Sequence, residues 1–510
     1  MELIEGGSLS LSRGGSSANS IEGSVIKNTQ LKHQEKVLKK LINKGEGTDF
    51  GIINKFHEIN YSKTLIQDFK SRVPIVNYEQ FYANWLKRAI DGYTDHIWPG
   101  KVKYFALSSG SSGHPSKMIP ISKACIRQFK KTSLSQIKDL KQYDLSPSFY
   151  RSKFLILGGS TYLYKFGNNQ FQGDISGILA KNKAFFSSTF SKPGKKISKL
   201  TDWNEKINQI VDHADKWDIG VISGVPSWVC LLLERIVKKY KLNSIHEIWP
   251  NLTFYIHGGL FIEPYMEQLS SYFSKPIVFK NTFLASEGFF AIHRSKDEEH
   301  MELLTRHGIF YEFVEEKYFD KLRNEKFYDI PTKTIDEIEP HVNYAMVVST
   351  NSGLWRYNIG DVIQFTDQRL KHIKIIGRLS FFLNSCGENL SEENMVQAIY
   401  KTSKILNIIV PEYCVHIPDK NDHHKWFFGT NRQVCPIKFA SILDEQLCLL
   451  NDDYKNTRRY LLKEPVTILV PQEKFYEYME SINKLGGQNK TPRVLTGDQA
   501  KKWERFLSKT

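Results

Sequence analysis

Apolar positions set the first division of this chain. From Gln30 onward Leu31, Val37, Leu38, Leu41 and Ile42 recur at helical spacing, which predicts an amphipathic helix. A second helical stretch is expected over Tyr78 to Ile90, with Phe81, Trp85 and Leu86 on its apolar face. The β-leaning run Tyr104-Phe105-Ala106-Leu107 follows. From Phe154 the pattern becomes short apolar runs alternating with helical segments, each run ending in a polar or glycine-rich loop. Phe154 to Leu157 ends at Gly158-Gly159, and Ile219 to Ile222 ends at Ser223 to Ser227, before an apolar helix from Trp228 to Val237. Leu252 to Ile256 ends at His257-Gly258-Gly259, and Pro276 to Phe279 leads into Asn281 to Gly288. Such strand ends are where α/β sheets place ligands, so several should converge on one cleft.

Beyond Ile373 to Arg378, which closes a strand pair, a smaller mixed segment carries a strand at Val466 to Val470 and a loop from Gly486 to Arg493. The expected fold class is α/β: a large N-terminal domain of mixed sheets and helices, plus a small α+β C-terminal domain. The expected divisions are a disordered segment 1–25, rich in Gly and Ser, then 26–378 and 379–510.

Length and composition narrow the class. With 510 residues, 41% of them hydrophobic and 13% aromatic, the chain can bury a large core. No apolar run approaches the roughly 18 residues of a spanning helix, so no membrane association is expected. Met1 to Glu5 lacks the basic-then-apolar pattern of a secretion signal. Cys125, Cys230, Cys386, Cys414, Cys435 and Cys448 show no Cys-x-x-Cys spacing, which suits reduced cytoplasmic thiols. The net charge of +15 admits nucleic-acid binding, but the basic residues are spread thinly and no RNA- or DNA-binding signature is present. A lysine-rich surface biased toward anionic small substrates is the expected reading.

Candidate chemistry concentrates in three places. Ser108, Ser109, Gly110, Ser111 and Ser112, continuing through Gly113 to Lys117, follow the Tyr104 run directly. Glycine lets backbone N–H groups converge on an anion, serine adds rotatable donors, and lysine adds a point charge for phosphate. The loop lacks the Gly-Lys-Ser/Thr of a Walker A motif, and the alternative is a solvated Gly/Ser linker. Ser286-Glu287 follows an apolar run; Glu287 could hold Mg²⁺ beside phosphates, or cap a following helix over Phe289, Phe290 and Ile292. In Trp355-Arg356-Tyr357-Asn358-Ile359-Gly360-Asp361, Asp361 can accept ribose hydroxyls and Arg356 can oppose phosphate or carboxylate oxygens; the alternative is a Gly-Asp turn with a structural arginine.

The order and separation of these pieces resemble the auxin-responsive acyl acid–amido synthetases, a branch of the adenylate-forming superfamily that includes acyl-CoA ligases and luciferase. Ser108 to Lys117 with Ile119-Pro120 resembles that family's serine-rich loop, Phe283 to Glu287 its Tyr-x-x-Ser-Glu motif, and Trp355 to Val362 its Tyr-Arg-Tyr-Arg-x-Gly-Asp-Val motif. The match covers roughly residues 30 to 495 and suits a bacterial-type or divergent member. Phe283 stands where plant members have tyrosine, Trp355 at the first tyrosine of the third motif, and Asn358 at its second arginine.

The resemblance implies a two-step ligase that uses ATP and Mg²⁺, first forming an acyl-adenylate from a carboxylic acid, then passing the acyl group to an amino acid. It implies that Ser108, Ser109, Gly110, Ser111, Ser112 and Lys117 meet phosphates, with Glu287 on Mg²⁺ and Asp361 on ribose. Phe283, Ser286 and the His257-Gly258-Gly259 turn would flank the nucleotide, alongside Arg356 and Tyr357. Arg378 would form part of a hinge or touch ribose, and Lys490, in a Lys-Thr-Pro-Arg segment, would reach the active site. A CoA thiol as acceptor is the enzymatic alternative, and a basic nucleic-acid-binding protein the non-enzymatic one. The aromatic and aliphatic content of Tyr162 to Gly177 and Val225 to Leu232 suggests a pocket there for an apolar acid. The expected partners are these small molecules, with no nucleic acid or membrane, for a monomeric protein in the cytoplasm.

Overall fold

The structure is a computed structural model describing residues 15–108, 117–182, 190–324, 330–367, 371–418, 422–487 and 489–509. Among these, one sheet of eleven strands organises the larger part of the molecule. Its parallel half holds Val278–Ala285, Phe254–Gly258, Ile219–Gly224, Lys153–Leu157 and Ser191–Lys192 as successive neighbours. Its other half is antiparallel: Gly288–Ile292, Met301–Leu303, His372–Arg378, Tyr357–Asp367, Asn343–Thr350 and Ile309–Glu315. The change of direction falls at Ser286-Glu287, which joins Val278–Ala285 to Gly288–Ile292 as a tight hairpin.

The predicted strands are present, with one shift of consequence. The Pro276 run continues as strand through Ala285, and Phe289, Phe290 and Ile292 form a strand rather than a helix. Glu287 therefore sits in a turn between two strands and caps no helix. Tyr104–Ser108 and Lys117–Ile121 pair antiparallel in a separate four-stranded sheet, with Ser108 opposite Lys117. The ends of the serine-rich loop are thus held side by side. Ser109, Gly110, Ser111 and Ser112 lie outside the described residues.

The N-terminal helix runs Gly15–Gly45 and so begins inside the segment expected to be disordered. Once a helix is nucleated, each further residue adds a hydrogen bond, so a polar extension is favoured by an anchored core turn. The anchor is real: Leu38, Leu41 and Ile42 are buried. Gln34, polar on that same face, donates to the carbonyls of Thr305 (2.7 Å) and Ile309 (3.1 Å) and accepts from the Tyr311 N–H (2.8 Å). Buried polar side chains persist when every group is satisfied in this way.

A second core lies behind the parallel strands, where the helix Pro226–Tyr240 buries Trp228, Val229, Cys230 and Leu232. Trp228, Val229, Cys230 and Leu232 of the segment expected to line an apolar acid pocket are thus core, Val225 and Leu231 are partly buried against it, and in the companion segment Tyr162 and Tyr164 are exposed. The C-terminal part has its own three-stranded sheet, Glu412–His416, Lys425–Thr430 and Val466–Pro471, packed with the helices Glu392–Leu406 and Pro436–Leu450. It rests on the larger part through Arg493. That guanidinium donates to Glu412 Oε2 (2.9 Å) and to the Tyr265 hydroxyl (3.0 Å), which in turn donates to Glu412 Oε1 (2.9 Å).

Candidate active site

The carboxyl ends of the parallel strands and the turn at Glu287 face the last strands of the antiparallel half. Asp361 and Arg378 are register partners on adjacent strands, and Arg378 Nε lies 2.9 Å from Asp361 Oδ1. Asp361 is nearly buried while Arg378 keeps much of its side chain open. Glu287 is partly buried in the field of both and of Lys117. Burial pushes its carboxyl pKa up and Asp361 adds to this, while Arg378 and Lys117 pull it down. Lys117 reaches over the ring of Tyr78, 5.1 Å from its centroid, and the Tyr78 hydroxyl accepts from the Met118 N–H at 2.9 Å.

Lys490 arrives from the C-terminal part. Its ammonium donates to the carbonyl of Gly259, at the end of Phe254–Gly258. Gly259 has φ +84°, and a Cβ there would lie 3.0 Å from Lys490 Nζ, so glycine leaves room for the lysine to dock. Burial lowers the Lys490 pKa to about 8; Arg378 and Arg493 push the same way, and Glu392 and Asp361 oppose them. Glu392 is a further acid of this cluster. It is 7% exposed, and a Cβ on Gly377 would come within 2.6 Å of its own Cβ. Burial raises its pKa against the pull of Arg493, Lys490 and Arg378. Its sequence surroundings, Ser391 to Asn394, read only as a helix start, because a capping box gives no sign of what charge lies across the chain.

Lys117, Glu287, Tyr357, Asp361, Arg378, Lys490 and the Gly258-Gly259 turn thus meet in one place. Tyr357 is buried, its hydroxyl pKa raised by that burial and by Glu287. Ser286 adjoins Glu287 in the same turn and is 9% exposed.

Three assignments change. Arg356 does not face the cleft. Its Nε and Nη2 grip Glu312 at 3.0 and 2.9 Å, Nη1 donates to the carbonyls of Lys70 (2.8 Å) and Val73 (2.7 Å), and Nη2 also reaches Thr332 Oγ1 (3.4 Å). Every guanidinium donor is taken, and none remains for a phosphate. Phe283 lies within the strand Val278–Ala285, where alternation turns it inward. It is 6% exposed and tilts against Phe290 with ring centroids 4.9 Å apart, so it offers no open stacking face. His257 is likewise turned into the sheet's packing, 5% exposed. Burial lowers its pKa to about 3, so it is neutral, and only its backbone shares the strand end with Gly258 and Gly259.

The arrangement can neutralise a polyanion with Lys117, Lys490 and Arg378, and present Asp361 to vicinal hydroxyls. Magnesium takes one or two carboxylates and completes its shell with phosphate oxygens and water. Glu287 fits that pattern as a partly buried carboxylate with Arg378 and Lys117 on one side of its field and Asp361 as the neighbouring acid.

Comparisons with known proteins point the same way. Three family models match in order: the GH3 family N-terminal domain over residues 25–277, its central domain over 302–378 and its C-terminal domain over 393–499. The chain is 21% identical over 443 residues to the 4-substituted benzoates–glutamate ligase GH3.12 of Arabidopsis thaliana, covering 73% of each chain. It is 22% identical to the indole-3-acetic acid-amido synthetase GH3.15 of the same plant, covering 92% of this chain and 91% of that one. Among solved structures, GH3.15 acyl acid amido synthetase superposes with a TM-score of 0.75 at 16% identity, over 98% of this chain and 96% of that one. A 2-hydroxyisobutyryl-CoA ligase in the postadenylation state gives 0.60 at 12% identity, over 94% and 92%. With matched models spanning most of its length and a shared adenylate-forming fold, the chain belongs to the GH3 family.

Proposed function

We propose that this protein is an ATP-dependent acyl acid–amido synthetase. In the first step a carboxylate oxygen of the acid attacks the α-phosphorus of ATP, forming an acyl-adenylate and expelling pyrophosphate. In the second an amino-acid nitrogen attacks the acyl carbonyl, the amide forms, AMP leaves and the nitrogen loses a proton. The observation that carries this reading is the convergence of Lys117, Glu287, Asp361, Arg378 and Lys490 at the strand ends. The relatives named above, a benzoates–glutamate ligase and an indole-3-acetic acid-amido synthetase, favour an amino acid over a thiol as acceptor.

In this reading the protein acts by alignment and charge stabilisation. Lys117 and the Ser108 to Ser112 loop hold phosphates, and Asp361 holds the ribose. Lys490 sits at Gly259 during adenylation, and its positive charge offsets the charge that develops around the α-phosphate. Glu287 would hold Mg²⁺, which when bound neutralises phosphate charge. Arg378 ends the last strand of the large sheet and is taken as the hinge between a unit up to 378 and a smaller one from 379 to 510. Rotation about it would withdraw Lys490 before the amine attacks.

The same reading takes the enzyme as cytoplasmic and monomeric, with small molecules as partners. Six unpaired cysteines suit a reducing compartment, and among the described residues no helix is long and apolar enough to cross a membrane. A pyrophosphate-release screen over carboxylic acids, repeated with pooled amino acids and with CoA, tests the proposal. Amino-acid-dependent AMP release supports it. Acceleration by CoA alone would make the enzyme a thioester ligase, and no release with any acid would reject ligase activity.

A further inference from the structure

Lys490 extends from a turn that is seated on the larger part of the molecule. Gly486 and Gly487 both hold left-handed backbone, φ +82° and +65°, and the Asn489 N–H donates to the Gly486 carbonyl (3.1 Å), which closes a tight turn just before the lysine. The backbone of Gly486 lies against the indole of Trp203. A Cβ there would fall 2.1 Å from Trp203 Cδ2 and 2.2 Å from Cγ, far inside contact distance. Gly487 rests on the end of the strand Lys153–Leu157, where its Cβ would come 3.4 Å from the Gly159 Cα.

Trp203 has little room to give way. It opens the helix Trp203–Asp212, is 7% exposed, and meets Trp228 edge-on with ring centroids 5.4 Å apart. Its Nε1 is buried and has no hydrogen-bond partner among the described residues. A phenylalanine would fill core here without stranding that donor, so what tryptophan adds is its broad face. The chain leading to the turn follows the same surface. On the helix Glu473–Ser481, Tyr476 lies 5.8 Å from Trp228 and Glu480 accepts from Asn204 Nδ2 (2.9 Å), and Leu485 packs on the same core.

We propose that the indole of Trp203 positions Lys490 for adenylation, by fixing the turn at 486–489 from which the lysine reaches the Gly259 carbonyl. This rests on the ligase reading above, which gives Lys490 its task at the α-phosphate. Two glycines in succession leave a chain free to sample many conformations, and the indole face removes that freedom on one side of the lysine. Arg493, tied to Glu412 and Tyr265, removes it on the other. Glycine also lets the contact part: it has no side chain to interlock with the ring, so the turn lifts away when the smaller unit rotates. Trp203 and Gly486 therefore act in the first half-reaction, through Lys490, and have no part in the second.

Measuring the two half-reactions separately on the full chain tests this. ATP–pyrophosphate exchange uses the acid that gives the most pyrophosphate in the screen above, and amide formation is read from that acid's synthetic acyl-adenylate with pooled amino acids. Gly486→Ala should lower kcat for exchange by about a hundredfold. Its KM for ATP and its rate of amide formation should stay within about twofold of wild type. Trp203→Ala should follow it, and Trp203→Phe, which keeps a flat ring, should recover most of the exchange. Gly486→Ala combined with Lys490→Ala should exchange no more slowly than Lys490→Ala alone, because both changes remove one effect. Unchanged exchange in Gly486→Ala, equal losses in both half-reactions, or losses that multiply in the double variant overturn the inference and leave the ligase reading standing. If Trp203→Ala does not fold, Gly486→Ala and Trp203→Phe decide. Wild-type enzyme that exchanges with no acid at all removes both.

Discussion

Replacing Arg356 with methionine separates a structural role from a phosphate-binding one. The motif around it invites the second, but the structure places its guanidinium against Glu312, whose side chain is 1% exposed. Truncating one member of a buried, hydrogen-bonded pair leaves the other charge without compensation, at a cost of about 3–5 kcal/mol. For a domain of this size that corresponds to a fall in Tm on the order of 5–10 °C. Methionine also strands the carbonyls of Lys70 and Val73, which Arg356 now satisfies. Differential scanning calorimetry or tryptophan fluorescence during thermal unfolding reads the shift. Adding Glu312→Leu should recover a large part of it, because two apolar groups in place of a buried ion pair are often neutral. The reasoning is refuted if Arg356→Met melts with the wild type while its KM for ATP rises tenfold or more.

Three further outcomes bear on the cleft. Asp361→Ala should weaken ATP-dependent pyrophosphate release by about tenfold or more, since it removes a charged acceptor for ribose and frees Arg378; unchanged release would refute the ribose role. Lys490 carries its charge below its pKa of about 8 and loses it above. Adenylation kcat/KM should therefore fall as pH rises through that value, and Lys490→Arg, which stays protonated, should abolish the fall; a flat wild-type profile to pH ~9.5 would contradict this. Glu287→Gln should raise the Mg²⁺ concentration for half-maximal activity by about tenfold, and an unaltered Mg²⁺ titration would remove Glu287 from the metal.

Much of this was written locally in the chain. The helical face of Leu38, Leu41 and Ile42, the strand runs ending at Gly158, Gly224 and Gly258, and the order of three motifs all follow from short-range spacing. Spacing could not say which way a motif side chain points. Asn281 to Ala285 reads as a loop after a short strand, yet pairing with Phe254–Gly258 and Gly288–Ile292 extends the strand through it and turns Phe283 into the core. Arg356 is two residues from a Gly-Asp turn's first asparagine, and nothing nearby in sequence marks Glu312 as its partner.

The chain by itself determined the elements, the α/β class and the chemical types gathered for nucleotide work, because periodicity, β-propensity and turn residues act over a few residues. Tertiary structure alone decided which charges meet. Lys490 comes to the Gly259 carbonyl, and Glu392 enters the field of Asp361 and Arg378, only through the packing of the C-terminal part against the ends of interior strands of the sheet. Burial and Coulomb fields depend on distance in space, and no pattern of nearest neighbours in sequence encodes that distance.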